Sequence, residues 1–65
     1  MLELDLLLVP FVENRISTLS APQLLLYQQL LAEEDQDLFV WLTRREPAPT
    51  AELREIVALV LDSRV

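Results

Sequence analysis

The sequence predicts an all-α fold, a small compact bundle of four short helices, and three observations lead to this prediction. The chain has 65 residues with no glycine and four prolines, which argues against β-hairpins, whose tight turns use glycine or asparagine at positive φ. Three stretches rich in polar residues or proline, STLSAP, EEDQD and REPAPT, divide the chain into four segments. Within each segment the apolar residues recur at helical spacing.

The first helix should cover the opening stretch MLELDLLLVPFVEN, and it is apolar on two faces. At about 100° per residue, one face carries Leu4, Leu7, Leu8, Phe11 and Leu19, and the other carries Leu2, Leu6, Val9 and Ile16. Three short companion helices can hardly cover both faces of one helix. We therefore expect the second face to meet a further helix or a partner.

The start of the second helix is indicated by Ser20 as N-cap, Pro22 in the first turn and Gln23 at capping-box spacing. This helix should run to about Ala32. Its apolar residues share one broad side, which we expect to face the core: Leu24, Leu26, Tyr27, Leu30 and Leu31.

The third helix should begin near Asp35, and the fourth should follow Pro47 and Pro49 with Thr50 as N-cap. Their predicted core residues are Leu38, Trp41 and Leu42 in the third helix and Leu53, Ile56, Val57 and Val60 in the fourth.

Composition argues against several classes of protein. The chain has no cysteine and no histidine, so it cannot supply a thiol nucleophile, a thiolate or histidine metal site, or a Ser-His-Asp triad. Its net charge is −6, the wrong sign for binding nucleic acid or an anionic membrane. An enzyme acting alone is therefore not expected.

The apolar opening stretch fits neither a secretory signal nor a membrane span. Glu3 and Asp5 stand where a signal peptide has its basic residues, and the apolar run from Leu6 to Val12 is much shorter than the roughly 20 residues that a span needs. We expect a cytoplasmic protein without membrane insertion.

No segment predicts a catalytic or metal site. The acidic residues Glu33, Glu34, Asp35 and Asp37 lack the glycine of a calcium loop, and carboxylates are favoured at the start of a helix. The hydroxyls of Ser17, Thr18 and Ser20 gather where one helix ends and the next begins, which indicates capping rather than nucleophilic chemistry.

Five short elements of the sequence resemble a known family. They are E-L-D at residues 3–5, P-F at 10–11, L-S at 19–20, L-L at 30–31 and D-x-D-L-F-x-W-L at 35–42. These elements are similar to the bacterial FAD assembly factors called SdhE, which are related to the eukaryotic succinate dehydrogenase assembly factors. The resemblance covers residues 3 to about 60.

The resemblance implies a five-helix bundle that promotes covalent attachment of FAD to the flavoprotein subunit of succinate dehydrogenase, or in some members of fumarate reductase. The helper would bind that subunit so that the subunit's own histidine can attack FAD, and it would hold no FAD stably itself. In the family motif R-G-x-x-E, Met1 and Leu2 would be the x positions and Glu3 the glutamate. We therefore expect residues 1–65 to form one helical domain, with the Arg-Gly and the family's first helix lying upstream of Met1.

The predicted partner-binding residues are Glu3 first, with Asp5, Leu2 and Leu6 as weaker contacts. Glu3 has a second interpretation, as a carboxylate that favours the dipole in the first turn of its helix. Two other functions stay open: the antitoxin half of a toxin–antitoxin pair, which members of the family have been described as, and a homodimer that buries the second apolar face.

Overall fold

Four α-helices and one short 3-10 turn make up the computed structural model, which describes residues 2–62. The helices are α1 (Leu2–Asn14), α2 (Ala21–Leu31), α3 (Asp35–Leu42) and α4 (Ala51–Asp62), and the 3-10 turn is Ile16–Thr18. No β-strand occurs in these described residues. The predicted all-α fold is confirmed.

The starts of α2 and α4 are set by the side chains that the sequence predicts. The Gln23 backbone N–H donates to the Ser20 hydroxyl at 3.3 Å, and the Ser20 N–H donates to Gln23 Oε1 at 2.9 Å, which completes the capping box. The Leu53 N–H donates to the Thr50 hydroxyl at 3.1 Å. Both caps satisfy backbone donors that the first turn of a helix leaves unpaired.

The core forms where α4 meets the other three helices, since α4 packs against α1, α2 and α3, and α1 also packs against α3. The largest fully buried side chains are Phe11, Leu30, Leu42, Ile56 and Val60. Phe11 and Tyr27 connect α1 to α2, with ring centroids 5.2 Å apart and planes tilted by 40°. Trp41 is 8% exposed and belongs to the same core, as the helical spacing predicts.

One core prediction and one prediction about the second apolar face are wrong in part. Leu24 and Leu31 are 37% and 46% exposed, because α2 packs chiefly on α4 and only a narrow stripe centred on Tyr27 and Leu30 reaches the core. Ile16 does not continue the second apolar face, because α1 ends at Asn14 and the 3-10 turn brings Ile16 into partial contact with the core.

The end of α3 has an unusual backbone conformation. The Arg44 N–H donates to the Trp41 carbonyl at 3.1 Å and the Arg45 N–H to the Val40 carbonyl at 3.0 Å, which is the Schellman pattern of helix termination. The pattern places Arg44 at φ 63°. Glycine or asparagine is common there, and a residue with a Cβ atom costs roughly 1–2 kcal/mol in this region.

The capping box gives the first prediction. Changing Ser20 to alanine removes the acceptor for the Gln23 N–H, so the free energy of unfolding should fall by about 1 kcal/mol, measured by urea denaturation. Ser17→Ala is the matched control, since Ser17 is exposed and makes no side-chain hydrogen bond among residues 2–62. An equal loss in both variants would mean that the Ser20 cap contributes nothing specific.

The second prediction concerns alkaline pH. Burial raises the pKa of the Tyr27 phenol above its usual value near 10, so the folded state holds this proton more tightly than the unfolded state. The resulting stabilisation is present below pH 10 and is lost as the pH rises through the folded pKa. The chain has no lysine, no cysteine and no second tyrosine, the side-chain types that ordinarily titrate between about pH 8 and 11.

The melting temperature of the wild-type protein should therefore fall between pH 9 and 11, and that of Tyr27→Phe should stay nearly constant. Circular dichroism melts at pH 9, 10 and 11 give the comparison. Parallel falls in the two proteins would show that the Tyr27 proton is not responsible.

Candidate partner-binding surface

The outer face of α1 carries a row of exposed apolar side chains. Leu2, Leu6 and Val9 are 71%, 69% and 47% exposed, and their spacing of four and then three residues places them in one line along the helix. We call these three residues the α1 ridge. It is about 10 Å long, from the rise of 1.5 Å per residue.

The ridge faces outward because the opposite side of α1 is fixed in the core. Leu4 is 3% exposed and Phe11 is fully buried, so the residues on the far side of the helix must face solvent. Among residues 2–62, α1 holds four of the seven exposed large hydrophobic residues, the fourth being Val12. Such a concentration of exposed apolar side chains is typical of an interaction site.

Pro10 interrupts the backbone hydrogen bonding of α1. The helix α1 continues through Pro10, which has no N–H to donate to the Leu6 carbonyl four residues earlier. The Asn14 side-chain amide donates to the Pro10 carbonyl at 2.9 Å. Because of Pro10, the Leu6 carbonyl lacks the usual helical donor.

Carboxylates border the ridge on both sides. Glu3 and Asp5 are exposed, and at about 100° per residue they lie on opposite flanks of the line through Leu2 and Leu6. Neither makes an ion pair or side-chain hydrogen bond among the described residues. The surface is therefore an apolar strip between negative charges that nothing in the described part of the chain neutralises.

Arg15, the basic residue after α1, pairs with the end of α4 and not with the carboxylates beside the ridge. Arg15 directly follows α1, and its Nη1 atom lies 3.7 Å from a carboxylate oxygen of Asp62 at the end of α4. Arg15 stands about 20 Å along the helix axis from Leu2, so it does not offset the charge around the ridge.

All four residues that the sequence predicts as partner contacts lie on this exposed side of α1: Leu2, Glu3, Asp5 and Leu6. The structure brings them together at one end of a single helix. Val9 extends the same line of exposed residues. Its place on the second apolar face of the sequence is the feature that could have added it to the predicted contacts. Their role in binding stays a prediction.

The acidic side chains of the described residues do not form a candidate metal-binding site. Within residues 2–62, no three Asp or Glu side chains lie close enough together to hold a metal ion. Asp35 and Asp37 lie in the first turn of α3, where carboxylates interact favourably with the helix dipole. No helix in this part of the chain is long and apolar enough to cross a membrane.

Comparison with known proteins identifies one family. Residues 1–64 match the profile of a family described as "Flavinator of succinate dehydrogenase". The chain is 47% identical over 62 residues to a protein of Pseudomonas syringae pv. syringae named FAD assembly factor SdhE, and 45% identical over 62 residues to the protein of that name from Pseudomonas aeruginosa. Both alignments cover 95% of this chain and 74% of the relative.

A third relative with the same name, from Legionella pneumophila strain Paris, is 45% identical over 60 residues, which cover 92% of this chain and 75% of the relative. No solved structure matches the chain significantly. The resemblance found in the short sequence elements is thereby confirmed.

The third prediction separates the two faces of α1. Leu4→Ala should reduce the free energy of unfolding by about 2–5 kcal/mol, because it leaves a cavity in the core. Leu6→Ala removes an exposed side chain and should change the free energy by less than about 0.5 kcal/mol. Urea denaturation measures both, and a loss of 2 kcal/mol or more in Leu6→Ala would show that Leu6 is packed rather than exposed.

Proposed function

The chain belongs to the family of succinate dehydrogenase flavinators, and from this premise we propose that it promotes covalent attachment of FAD to the flavoprotein subunit of succinate dehydrogenase by binding that subunit. Fumarate reductase, the other client that the family resemblance implies, has a flavoprotein subunit that would be bound in the same way. The match to the family over residues 1–64 and the names of the relatives support this function. The observation that carries the proposed binding mode is the exposed α1 ridge between Glu3 and Asp5.

The ridge can supply part of the binding energy but not all of it. Leu2, Leu6 and Val9 together expose the equivalent of nearly two full side chains, and burying that surface contributes about 4 kcal/mol. Association costs an estimated 4–15 kcal/mol in lost translational and rotational freedom. Further contacts are therefore needed, and the exposed carboxylates of Glu3 and Asp5 lie beside the ridge.

The chemistry of the client surface follows from the ridge and its borders. An apolar patch on the subunit would cover the ridge, and lysine or arginine side chains around that patch would pair with Glu3 and Asp5. Charge complementarity of this kind fixes orientation and speeds encounter more than it adds affinity. The carboxylates would then orient the client and the ridge would hold it.

The chain has no histidine or cysteine and would act by positioning. The bond to FAD would be made by a histidine of the subunit, and FAD would remain with the subunit. Holding reacting groups in the right geometry lowers a barrier by several kcal/mol without any bond to the helper. The proposed role is accordingly that of an assembly factor rather than an enzyme.

The fourth prediction tests the ridge. The client subunit is co-expressed with the chain, including any residues that its gene encodes upstream of Met1, in cells that lack their own assembly factor. Covalent flavin is read as fluorescence of the denatured subunit on a gel. Leu6→Asp places a charge in the apolar strip and should lower the signal about tenfold or more, since 1.4 kcal/mol of binding is a factor of ten.

Leu25→Asp is the matched control, because Leu25 is also an exposed leucine, 60% accessible, but lies on α2. It should flavinylate the client as the wild-type protein does. Equal signals from Leu6→Asp and wild type would remove the ridge from the mechanism, and a wild-type chain that does not raise flavinylation would contradict the proposed function itself.

Glu3 is tested in the same assay with Glu3→Gln, which keeps the shape and removes the charge. If Glu3 pairs with a basic group of the client, flavinylation falls while the melting temperature changes little. If Glu3 only favours the helix dipole, the melting temperature falls slightly and flavinylation is unchanged. Glu55→Gln, in α4, is the control for loss of one exposed carboxylate.

The two other functions compatible with the sequence would use the same ridge. A homodimer would bury it against a second copy, and sedimentation velocity over a range of protein concentrations would then show dimers that Leu6→Asp dissociates. An antitoxin would cover it with a toxin, and the chain would then rescue growth of cells that express that toxin. Both stay predictions, and a monomer that stimulates flavinylation favours the assembly factor.

A further inference from the structure

The outer side of α2 is a second exposed apolar surface, and it differs from the ridge in its charge. Leu24, Leu25 and Leu31 are 37%, 60% and 46% exposed, whereas Tyr27 and Leu30 of the same helix are buried. Among the four helices of residues 2–62, α2 alone has no acidic and no basic residue. Another molecule with a net charge of −6 therefore meets no like charge on this helix.

The exposed residues of α2 have the spacing of a helix–helix contact. Four of them recur at intervals of three, four and three residues, which is the a/d pattern of a coiled coil: Ala21, Leu24, Gln28 and Leu31. We call these four residues the α2 seam. At about 100° per residue the seam lies roughly a third of a turn from the buried side with Tyr27 and Leu30. The pattern indicates that the occupant of the seam is another helix.

We propose that the α2 seam packs against the α2 seam of a second copy of this chain, in an antiparallel and two-fold symmetric pair. Full overlap of the two helices places Leu31 opposite Ala21 of the second copy, so a large side chain faces a small one. Gln28 stands opposite Leu24 of the second copy, and a single polar residue at an a position fixes the register of such a pair. In a two-fold pair both copies use the same residues.

The charges next to α2 favour the antiparallel orientation. Glu33 and Glu34 follow α2 closely and are exposed, so a parallel pair would bring these carboxylates of the two copies together. In the antiparallel pair they stand near the first turn of the other α2. That turn has no acidic residue of its own, and the helix dipole favours a carboxylate there.

The α1 ridge is less suited to pairing with itself. Glu3 and Asp5 border it, so two copies joined through their ridges would hold four carboxylates in one interface. Like charges brought face to face disfavour a complex. Pairing through α2 avoids this cost and leaves the ridge free for another protein.

The pair should be weak. Each copy contributes one helix of about 16 Å, which buries less than the roughly 1,200 Å² of a stable complex, and the net charge of −6 on each copy opposes association. We expect a dissociation constant of roughly 0.1–1 mM, in the range of transient contacts. Higher salt should tighten the pair, because salt screens the repulsion and the seam has no ion pair to weaken.

Sedimentation equilibrium tests the proposal with the chain and any residues that its gene encodes upstream of Met1, at about 0.02 to 2 mM. The mean mass should rise with concentration, and more so in 0.5 M than in 0.05 M salt. Gln28→Glu places a carboxylate of the same shape in the seam and should weaken association about tenfold or more. Gln29→Glu is the matched control, since Gln29 is exposed on the same helix but about 100° from Gln28.

A complementary pair of variants tests whether residue 28 faces the second copy. Gln28→Lys alone should also associate weakly, because two like charges then lie about 6 Å apart along the paired helices. An equimolar mixture of Gln28→Glu and Gln28→Lys should form a mixed pair at low salt, since the two charges are then opposite. The melting temperatures of the variants should stay close to that of the wild type, because Gln28 is exposed.

Three results would overturn the proposal: a wild-type chain that stays monomeric up to 2 mM, equal losses in Gln28→Glu and Gln29→Glu, or no mixed pair between the two charged variants. Association that Leu6→Asp abolishes and Gln28→Glu does not would also overturn it, because the second copy would then lie on the α1 ridge.

Discussion

The packing of Phe11 against Tyr27 is the contact on which the surface of this protein depends. Helix α1 is apolar on two sides, so its sequence alone does not decide which side turns inward. Phe11 is fully buried and its ring lies 5.2 Å from that of Tyr27. Burying a phenylalanine or a leucine side chain contributes about 1.5–3 kcal/mol, and the pairing of the Phe11 and Tyr27 rings adds about 0.5–1.5 kcal/mol that a leucine of the opposite side would not supply.

The position of the candidate surface therefore follows from core packing. Once Leu4 and Phe11 are buried, Leu2, Leu6 and Val9 must face solvent, and a domain of this size has no further helix among residues 2–62 to cover them. The proline in α1 leaves the Leu6 carbonyl without its helical donor.

Local signals in the sequence predict most of the fold. The Ser20 and Thr50 side chains each cap a backbone N–H group only three residues along the chain. The starts of α2 and α4 can therefore be placed without tertiary information. The burial of Leu38, Trp41 and Leu42 follows from spacing on a short helix whose other positions are polar or intermediate. The outward position of the four predicted contact residues, Leu2, Glu3, Asp5 and Leu6, required one further fact, namely which side of α1 is buried.

Other features depend on how the helices are arranged. Leu24 and Leu31 lie beside the buried stripe of α2, and their exposure reflects that α4 is the main neighbour of that helix. Ala48, in the loop between two prolines, is 2% exposed and belongs to the core cluster, and Arg54 of α4 donates to its carbonyl. A small residue in a polar segment does not predict this burial. The positive φ of Arg44 is not predicted by the sequence either, because the Schellman pattern favours glycine and the chain has none.

The central claim is that the α1 ridge contacts the flavoprotein subunit, and methyl NMR tests it most directly. The chain is labelled at leucine and valine methyl groups and mixed with the unlabelled subunit. The methyl signals of Leu2, Leu6 and Val9 should shift or broaden, whereas those of Leu25, an exposed leucine on α2, should stay unchanged. Signals of Leu25 that change while those of the ridge do not would contradict the account.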